Sequence, residues 1–185
     1  MTKIYEIFPV PQQLTNLGGE VKLTTEINVV IPKDLKDATW NKLQEVLEEK
    51  GLAYSVSGEL VEGKTNLYLA YTESVNEADI SKITSKELHK FTKFEGYELV
   101  IDGEDVAQVA IVGCDAEGLH YGVVTLHQIL TQVQGMNVKK CMIQDYPNIL
   151  YRGFIEGFYG FPWTHEDRMD LMAFGGEYKM NTYIY

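Results

Sequence analysis

Gly153-Phe154-Ile155-Glu156-Gly157, then Thr164-His165-Glu166-Asp167-Arg168, then Lys179-Met180-Asn181-Thr182-Tyr183-Ile184-Tyr185 are the segments that decide the fold. Phe154-Ile155 lies in an apolar run of strand type, and Lys179–Tyr185 is a second β-type run. Between them, Thr164 is a good N-cap and Asp167 stands at the third helical position, a variant of the capping box. Negative charge favours a helix N-terminus, so capping explains Glu166 and Asp167 without an acid/base role. Arg168 is placed to face a carboxylate, while Met169, Met172 and Ala173 supply apolar surface. Gly175-Gly176 should weaken or end the helix. Residues 151–185 thus read as strand, helix, strand, the crossover that joins parallel strands. A lone unit of this kind cannot bury both faces of its strands. A larger parallel-sheet domain is therefore expected to follow, with the present sequence cut inside it. The connection after the first strand, Gly157 to Trp163, mixes glycines with aromatics, as a loop does when its backbone must approach something closely.

Before Pro147 the pattern is different. Ile4–Phe8, Val21-Lys22-Leu23 and Ile27–Ile31 read as short strands. Trp40, Leu43, Val46 and Leu47 recur at helical spacing over residues 37–50, with Asp37 as N-cap and Gly51 as stop. Lys42, Glu45, Glu48, Glu49 and Lys50 are expected to face water. Asn66–Tyr71 is a further strand. Gly96–Ile101 and Val106–Val112 form a pair across Asp102-Gly103-Glu104-Asp105, where Asp-Gly is a strong hairpin signal. That loop is too short for an EF-hand, so its carboxylates are read as a turn. The polar residues 73–95 give mixed signals. Leu119, Val123, Leu126, Leu130 and Val133 make one helical stripe, capped by Asp115 or its neighbour. Gly118 and Gly122, four apart on that helix, permit close approach to a sheet. His120 and His127 have no partner spaced to complete a metal site. Lys140–Ile143 closes the domain. The expectation is an α+β domain over residues 1–147, a mainly antiparallel sheet with two amphipathic helices on one face, and a separate segment over 148–185.

Composition narrows the function classes. Of 185 residues, 45% are hydrophobic and 23% charged, as in a folded globular protein. The balance of 16 basic against 27 acidic residues, a net charge of -11, disfavours a nucleic-acid binder or a polybasic membrane-surface module. No apolar run approaches the ~20 residues of a membrane-spanning helix. Met1–Glu6 is not the apolar core of a secretory signal, which leaves the compartment open. Two cysteines, Cys114 and Cys141, make neither a disulfide framework nor a four-ligand zinc site and are read as buried thiols.

Tyr151-Arg152-Gly153, Glu156-Gly157-Phe158-Tyr159-Gly160, Pro162-Trp163, Arg168 and Lys179–Tyr185, taken in order, resemble the start of the catalytic barrel of glycoside hydrolase family 84. That family comprises hyaluronidase-like β-N-acetylglucosaminidases and O-GlcNAc hydrolases. Residues 1–147, above all Asp115–Gly122, resemble its non-catalytic N-terminal domain, shared in fold with family 20 hexosaminidases. The resemblance implies a (β/α)8 barrel whose first strand is about 153–157 and whose second is about 180–185. It implies substrate-assisted retaining hydrolysis of β-linked N-acetylglucosamine without a cofactor, on a glycan or glycoprotein, in a protein secreted by or displayed on a bacterium. It implies substrate contact at Gly157, through its backbone carbonyl, with Tyr159 as a neighbour. Two adjacent aspartates and a lysine of the family are expected beyond Tyr185, so neither Glu104/Asp105 nor Glu166/Asp167 is assigned as a catalytic pair. The chain alone is expected to be inactive. Two other readings stay open: a docking or glycan-binding module over 1–147, and a family 20 β-hexosaminidase, disfavoured by the Glu156–Gly160 string. The apolar face of the last unit is expected to pack on the sheet domain or, in a homodimer, on a second copy.

Overall fold

The computed structural model describes residues 4–88, 92–157 and 159–185. The chain divides into two compact units, Met1–Tyr146 and Pro147–Tyr185.

The first unit holds β1 (Gln13–Lys22), β2 (Glu26–Val30), α1 (Asp37–Glu49), β3 (Ala53–Ser57), β4 (Thr65–Tyr71), α2 (Glu77–Ile83), β5 (Tyr97–Asp102), β6 (Gln108–Gly113), α3 (Ala116–Thr131) and β7 (Asn137–Asp145). Seven strands form one sheet in the order β1-β7-β5-β6-β4-β2-β3. The β1–β7, β7–β5 and β5–β6 pairings are antiparallel, and β6–β4, β4–β2 and β2–β3 are parallel. β5 and β6 form the expected hairpin, pairing Asp102 with Gln108 and Tyr97 with Gly113.

Side chains alternate between the faces, as strand geometry requires. Leu67, Leu69, Leu99, Ile101, Val109 and Ile111 point to a core shared with α1 and α3, whose Leu43, Val46, Leu47, Leu119, Val123 and Leu126 complete it. These are the two helices the periodicity predicts, on one face. Tyr68, Ala70, Val100, Ala110 and Val112 point the other way, against Ile80 and Ile83 of α2. This seven-residue helix covers that face inside an otherwise polar stretch and is too short for its period to stand out. Gly118 and Gly122 behave as expected: a Cβ would lie 2.1 Å from the Gly96 carbonyl oxygen at the first and 2.3 Å from Ile111 Cγ2 at the second.

Four local expectations are corrected. Ile4–Phe8 is not a strand. Tyr5 and Ile7 are buried in the main core, so the alternation is real, but the backbone partners are side chains. Gln132 accepts from the Glu6 N–H at 2.8 Å and donates to the Glu6 carbonyl at 2.7 Å; Gln128 does the same for Phe8 at 2.8 and 2.7 Å. Two amides one helical turn apart thus replace a strand edge. Asp37 is the first residue of α1, not its cap; Lys36 is the N-cap and makes no side-chain capping bond. Lys42 is 8% exposed instead of facing water, with its Nζ 3.0 Å from Glu45 Oε1. A lysine stem can lie along apolar surface while its head keeps a polar partner. Cys141 is buried, but Cys114 is only half-buried.

The end of β7 is held by a buried polar group. Tyr97 Oη lies 2.6 Å from Thr125 Oγ1 and donates to Asp145 Oδ2 at 3.1 Å, and the Gln12 N–H reaches Asp145 Oδ1 at 3.3 Å. Burial, then the Asp145 carboxylate, push the Tyr97 hydroxyl well above its ordinary 10.0, so it stays a donor. Tyr97→Phe leaves both partners short of a bond in the interior and should cost about 1–3 kcal/mol, read as a lower urea midpoint. An unchanged midpoint would show that the network adds nothing to stability.

The second unit is the predicted βαβ: β8 (Gly153–Ile155), α4 (His165–Glu177) and β9 (Thr182–Ile184). β8 and β9 pair in parallel, Gly153 with Thr182 and Ile155 with Ile184. α4 runs through Gly175-Gly176 to Glu177, past the expected stop. Gly175 is the buried point of the helix, where a Cβ would lie 3.0 Å from the Phe154 ring, so close packing outweighs its poor propensity. Ile155, Met169, Met172 and Phe174 are exposed.

Candidate functional site

The residues of the motif string gather at the two ends of the β8–β9 ladder. At the N-terminal ends they do structural work. The Arg152 N–H donates to Asn181 Oδ1 at 3.0 Å, and Asn181 Nδ2 donates to the Leu150 carbonyl at 2.9 Å. Arg152 Nε donates to the Lys179 carbonyl at 3.1 Å and its Nη1 to Ile149 at 2.8 Å. Lys179 sits in the left-handed region (φ +59°) just past α4, where helices commonly end.

The C-terminal end of β8 carries the chemistry-bearing group. The Glu156 N–H donates to the Ile184 carbonyl at 2.8 Å and extends the ladder by one residue. Its buried carboxylate receives Arg168 Nε on Oε2 at 2.8 Å and Arg168 Nη2 on Oε1 at 2.9 Å. This is the two-pronged fork that a planar guanidinium makes with a carboxylate. Tyr183 on β9 donates its hydroxyl to Oε2, and the Trp163 N–H reaches Oε1 at 3.3 Å. Arg168 also lies over the Tyr185 ring, 5.7 Å from its centroid.

The local sequence explains why Arg168 arrives there. Thr164 Oγ1 accepts from the Asp167 N–H at 3.1 Å and Asp167 Oδ2 accepts from the Thr164 N–H at 3.0 Å, the predicted capping box. That box fixes the first turn and hence the direction of the next residue. Hydrogen bonds from Arg168, then from Tyr183, pull the Glu156 carboxyl from its ordinary 4.5 down to about 2. Its charged form therefore favours the folded unit above about 4.5, a contribution lost as pH falls through about 2. The same contacts raise the pKa of Tyr183 and of Arg168.

Gly157 follows Glu156 directly and is exposed, and Tyr159 is fully exposed. Phe158 of the motif lies outside the described residues. Arg168 faces a carboxylate as expected. The sequence did not single out Glu156 or Tyr183. The one local hint was an arginine one turn into the next helix, which marks a carboxylate partner without saying which residue supplies it. Elsewhere, two residues of the clusters rejected above, Asp102 and His127, have close partners. Asp102 Oδ1 pairs with Lys140 Nζ at 2.6 Å and its Oδ2 accepts from Thr84 at 2.7 Å; His127 Nε2 lies 2.6 Å from Glu49 Oε2. Among the described residues, no helix is long and apolar enough to cross a membrane.

Residues 4–146 match the family model described as glycosyl hydrolase family 20, domain 2. The chain belongs to that domain 2 family. Beyond the domain 2 region, residues 152–185 match the model described as beta-N-acetylglucosaminidase. The chain is similar along nearly its whole length to two glycoside hydrolase family 84 proteins. It is 35% identical to CpGH84D over 97% of this chain and 30% of that one, with a TM-score of 0.86. It is 29% identical to CpGH84B over 99% of this chain and 30% of that one, with a TM-score of 0.77. It also shares its fold with the GH20 exo β-N-acetylglucosaminidase from Vibrio harveyi in complex with N-acetylglucosamine. There the identity is 17%, the TM-score 0.69, and coverage 99% of this chain and 26% of that one. The chain thus spans less than a third of the length of these structures.

Proposed function

We propose that this chain is the N-terminal part of a β-N-acetylglucosaminidase of glycoside hydrolase family 84, with hyaluronidase-like and O-GlcNAc hydrolase relatives. The observation that carries the reading is the parallel β8–α4–β9 unit with Glu156-Gly157 at the C-terminal end of its first strand. In a (β/α)8 barrel, substrate is met at that end of the strands. The similarity to CpGH84D and CpGH84B supports a family 84 parent. Exposed Ile155, Met169, Met172 and Phe174 support a barrel in which further strands and helices cover them. A second copy of the chain is the other cover proposed for these residues.

In this reading Gly157 contacts N-acetylglucosamine through its backbone carbonyl and Tyr159 flanks the sugar. The 2-acetamido oxygen of the substrate replaces the enzyme nucleophile of ordinary retaining glycosidases. The two aspartates that orient the acetamide and move the proton stand on a later strand. Residues 1–147 are a non-catalytic domain, and residues 148–185 open the barrel. The substrate is an N-acetylglucosamine-containing glycan or glycoprotein, met outside a bacterial cell or on its surface.

The purified chain is expected to release no chromophore from an aryl N-acetyl-β-glucosaminide, whereas the complete reading frame that contains it should do so with retention. Turnover by the chain alone, abolished by a point substitution within it, contradicts the assignment. The match of residues 4–146 to family 20 domain 2 favours one other reading, a family 20 hexosaminidase. Adjacent aspartates in the continuation select family 84, and an aspartate–glutamate pair selects family 20.

A further inference from the structure

We infer that Glu156 is the positioning residue that closes the β8–α4 connection and sets the direction of the Gly157 backbone carbonyl. The inference rests on the reading that this end of β8 faces the sugar. One carboxylate ties together three separate parts of the unit: Arg168 from α4, Tyr183 from β9 and the Trp163 amide from the far end of the connection. The Glu156 N–H is meanwhile fixed to Ile184. Residue 156 is therefore held on its backbone and on its side chain, and Gly157 is the next peptide along. A Cβ built at residue 157 would meet no atom within 4 Å among the described residues, and in the inference the carbonyl proposed to meet the substrate takes its direction from the anchored residue before it. The Arg168 fork and the Trp163 bond stop Glu156 from rotating and keep the start and end of the connection a single side chain apart.

The test uses the whole 185-residue chain, labelled with 15N, at neutral pH. Glu156→Gln removes the charge and half of the fork. The Gly157 and Trp163 amide resonances should both move, and the Trp163 amide should exchange about tenfold faster or more, as expected when a hydrogen bond to a charged group is lost. Thr182, whose N–H bonds the Arg152 carbonyl at the other end of the ladder, should keep its protection. Arg168→Lys should restore part of what Arg168→Gln loses, because an ammonium pairs but cannot fork. On acid titration of the unsubstituted chain, Gly157 and Trp163 should move together with a midpoint well below the ordinary carboxylate range, and Glu156→Gln should lack that step. An unmoved Gly157 resonance in Glu156→Gln overturns the inference. If Glu156→Gln unfolds the whole unit, Arg168→Lys decides. Movement of Gly157 and Trp163 with Thr182 protected supports positioning, and equal loss of protection at all three overturns it. None of these readouts involves sugar. A chain that passes them, within a complete protein that cleaves no N-acetylglucosaminide, would sink the enzymatic reading while leaving the hold of Glu156 on the connection demonstrated.

Discussion

Replacing Gly153 by alanine is expected to open the β8–β9 ladder. The added Cβ would lie 1.6 Å from the Thr182 carbonyl oxygen and 2.6 Å from its carbonyl carbon. Both are backbone atoms, so no rotamer change relieves the clash. Thr182 is the residue paired with Gly153, and its N–H donates to the Arg152 carbonyl at 3.0 Å. The strands must separate at the point where the ladder begins, and only three residues pair on each side. Overpacking usually costs about 1–3 kcal/mol, and a clash with backbone in so short a ladder belongs at or above the upper end. Amide exchange is the measurement. Thr182 and Glu156 should lose protection in Gly153→Ala, while the amides of β5 and β6 keep theirs. Full protection at Thr182 would mean that the strands never approach as closely as described.

Gly118→Ala should have a comparable effect on the first unit. Its Cβ would lie 2.1 Å from the Gly96 carbonyl oxygen and 3.1 Å from the Glu95 carbonyl carbon. That turn is already fully engaged. The Gly96 oxygen accepts from the Cys114 N–H at 2.8 Å, and Asp115 accepts from the Gly118 N–H at 2.7 Å and the Glu95 N–H at 2.8 Å. Asp115 is thus both the N-cap of α3 and the clasp on residues 95–96. A methyl group at residue 118 pushes the helix off the turn that its own cap holds. The expected loss is about 3 kcal/mol in denaturant unfolding. Gly58→Ala is the control, since a Cβ there meets nothing within 4 Å, and it should stay within about 0.5 kcal/mol of the parent. Equal midpoints for the two variants would refute the close-approach account.

What the sequence made legible was local. The capping box of Thr164 and Asp167 lies within one turn, and the Asp102-Gly103 hairpin joins neighbouring strands. The stripe from Leu119 to Leu130 needs only the period of one helix. The parts it hid depend on distant partners. The polar first half of β1 is a strand because Gln13–Asn16 pairs with Cys141–Gln144, far along the chain. β3 is an edge strand that, among the described residues, pairs with β2 alone, so one side needs no apolar period. Hydrophobic period also says nothing about whether β2, β4 and β6 run parallel. At the site the same rule holds. Arg168 was legible as a partner for some carboxylate. Glu156 was not, since its meaning comes from Tyr183, 27 residues on, and from a backbone N–H that no sequence pattern marks.

The buried contact between Tyr97, Thr125 and Asp145 has a mechanical consequence. β7 lies between β1 and β5 and is antiparallel to both, and Asp145 is its last residue. Tension entering the sheet along β7 from the residue 147 side loads two ladders in shear at once, with the tyrosine and Gln12 as the first restraints. A strand so flanked yields by breaking many bonds together instead of peeling one at a time. The junction end of the first unit is therefore built to resist a pull along the chain.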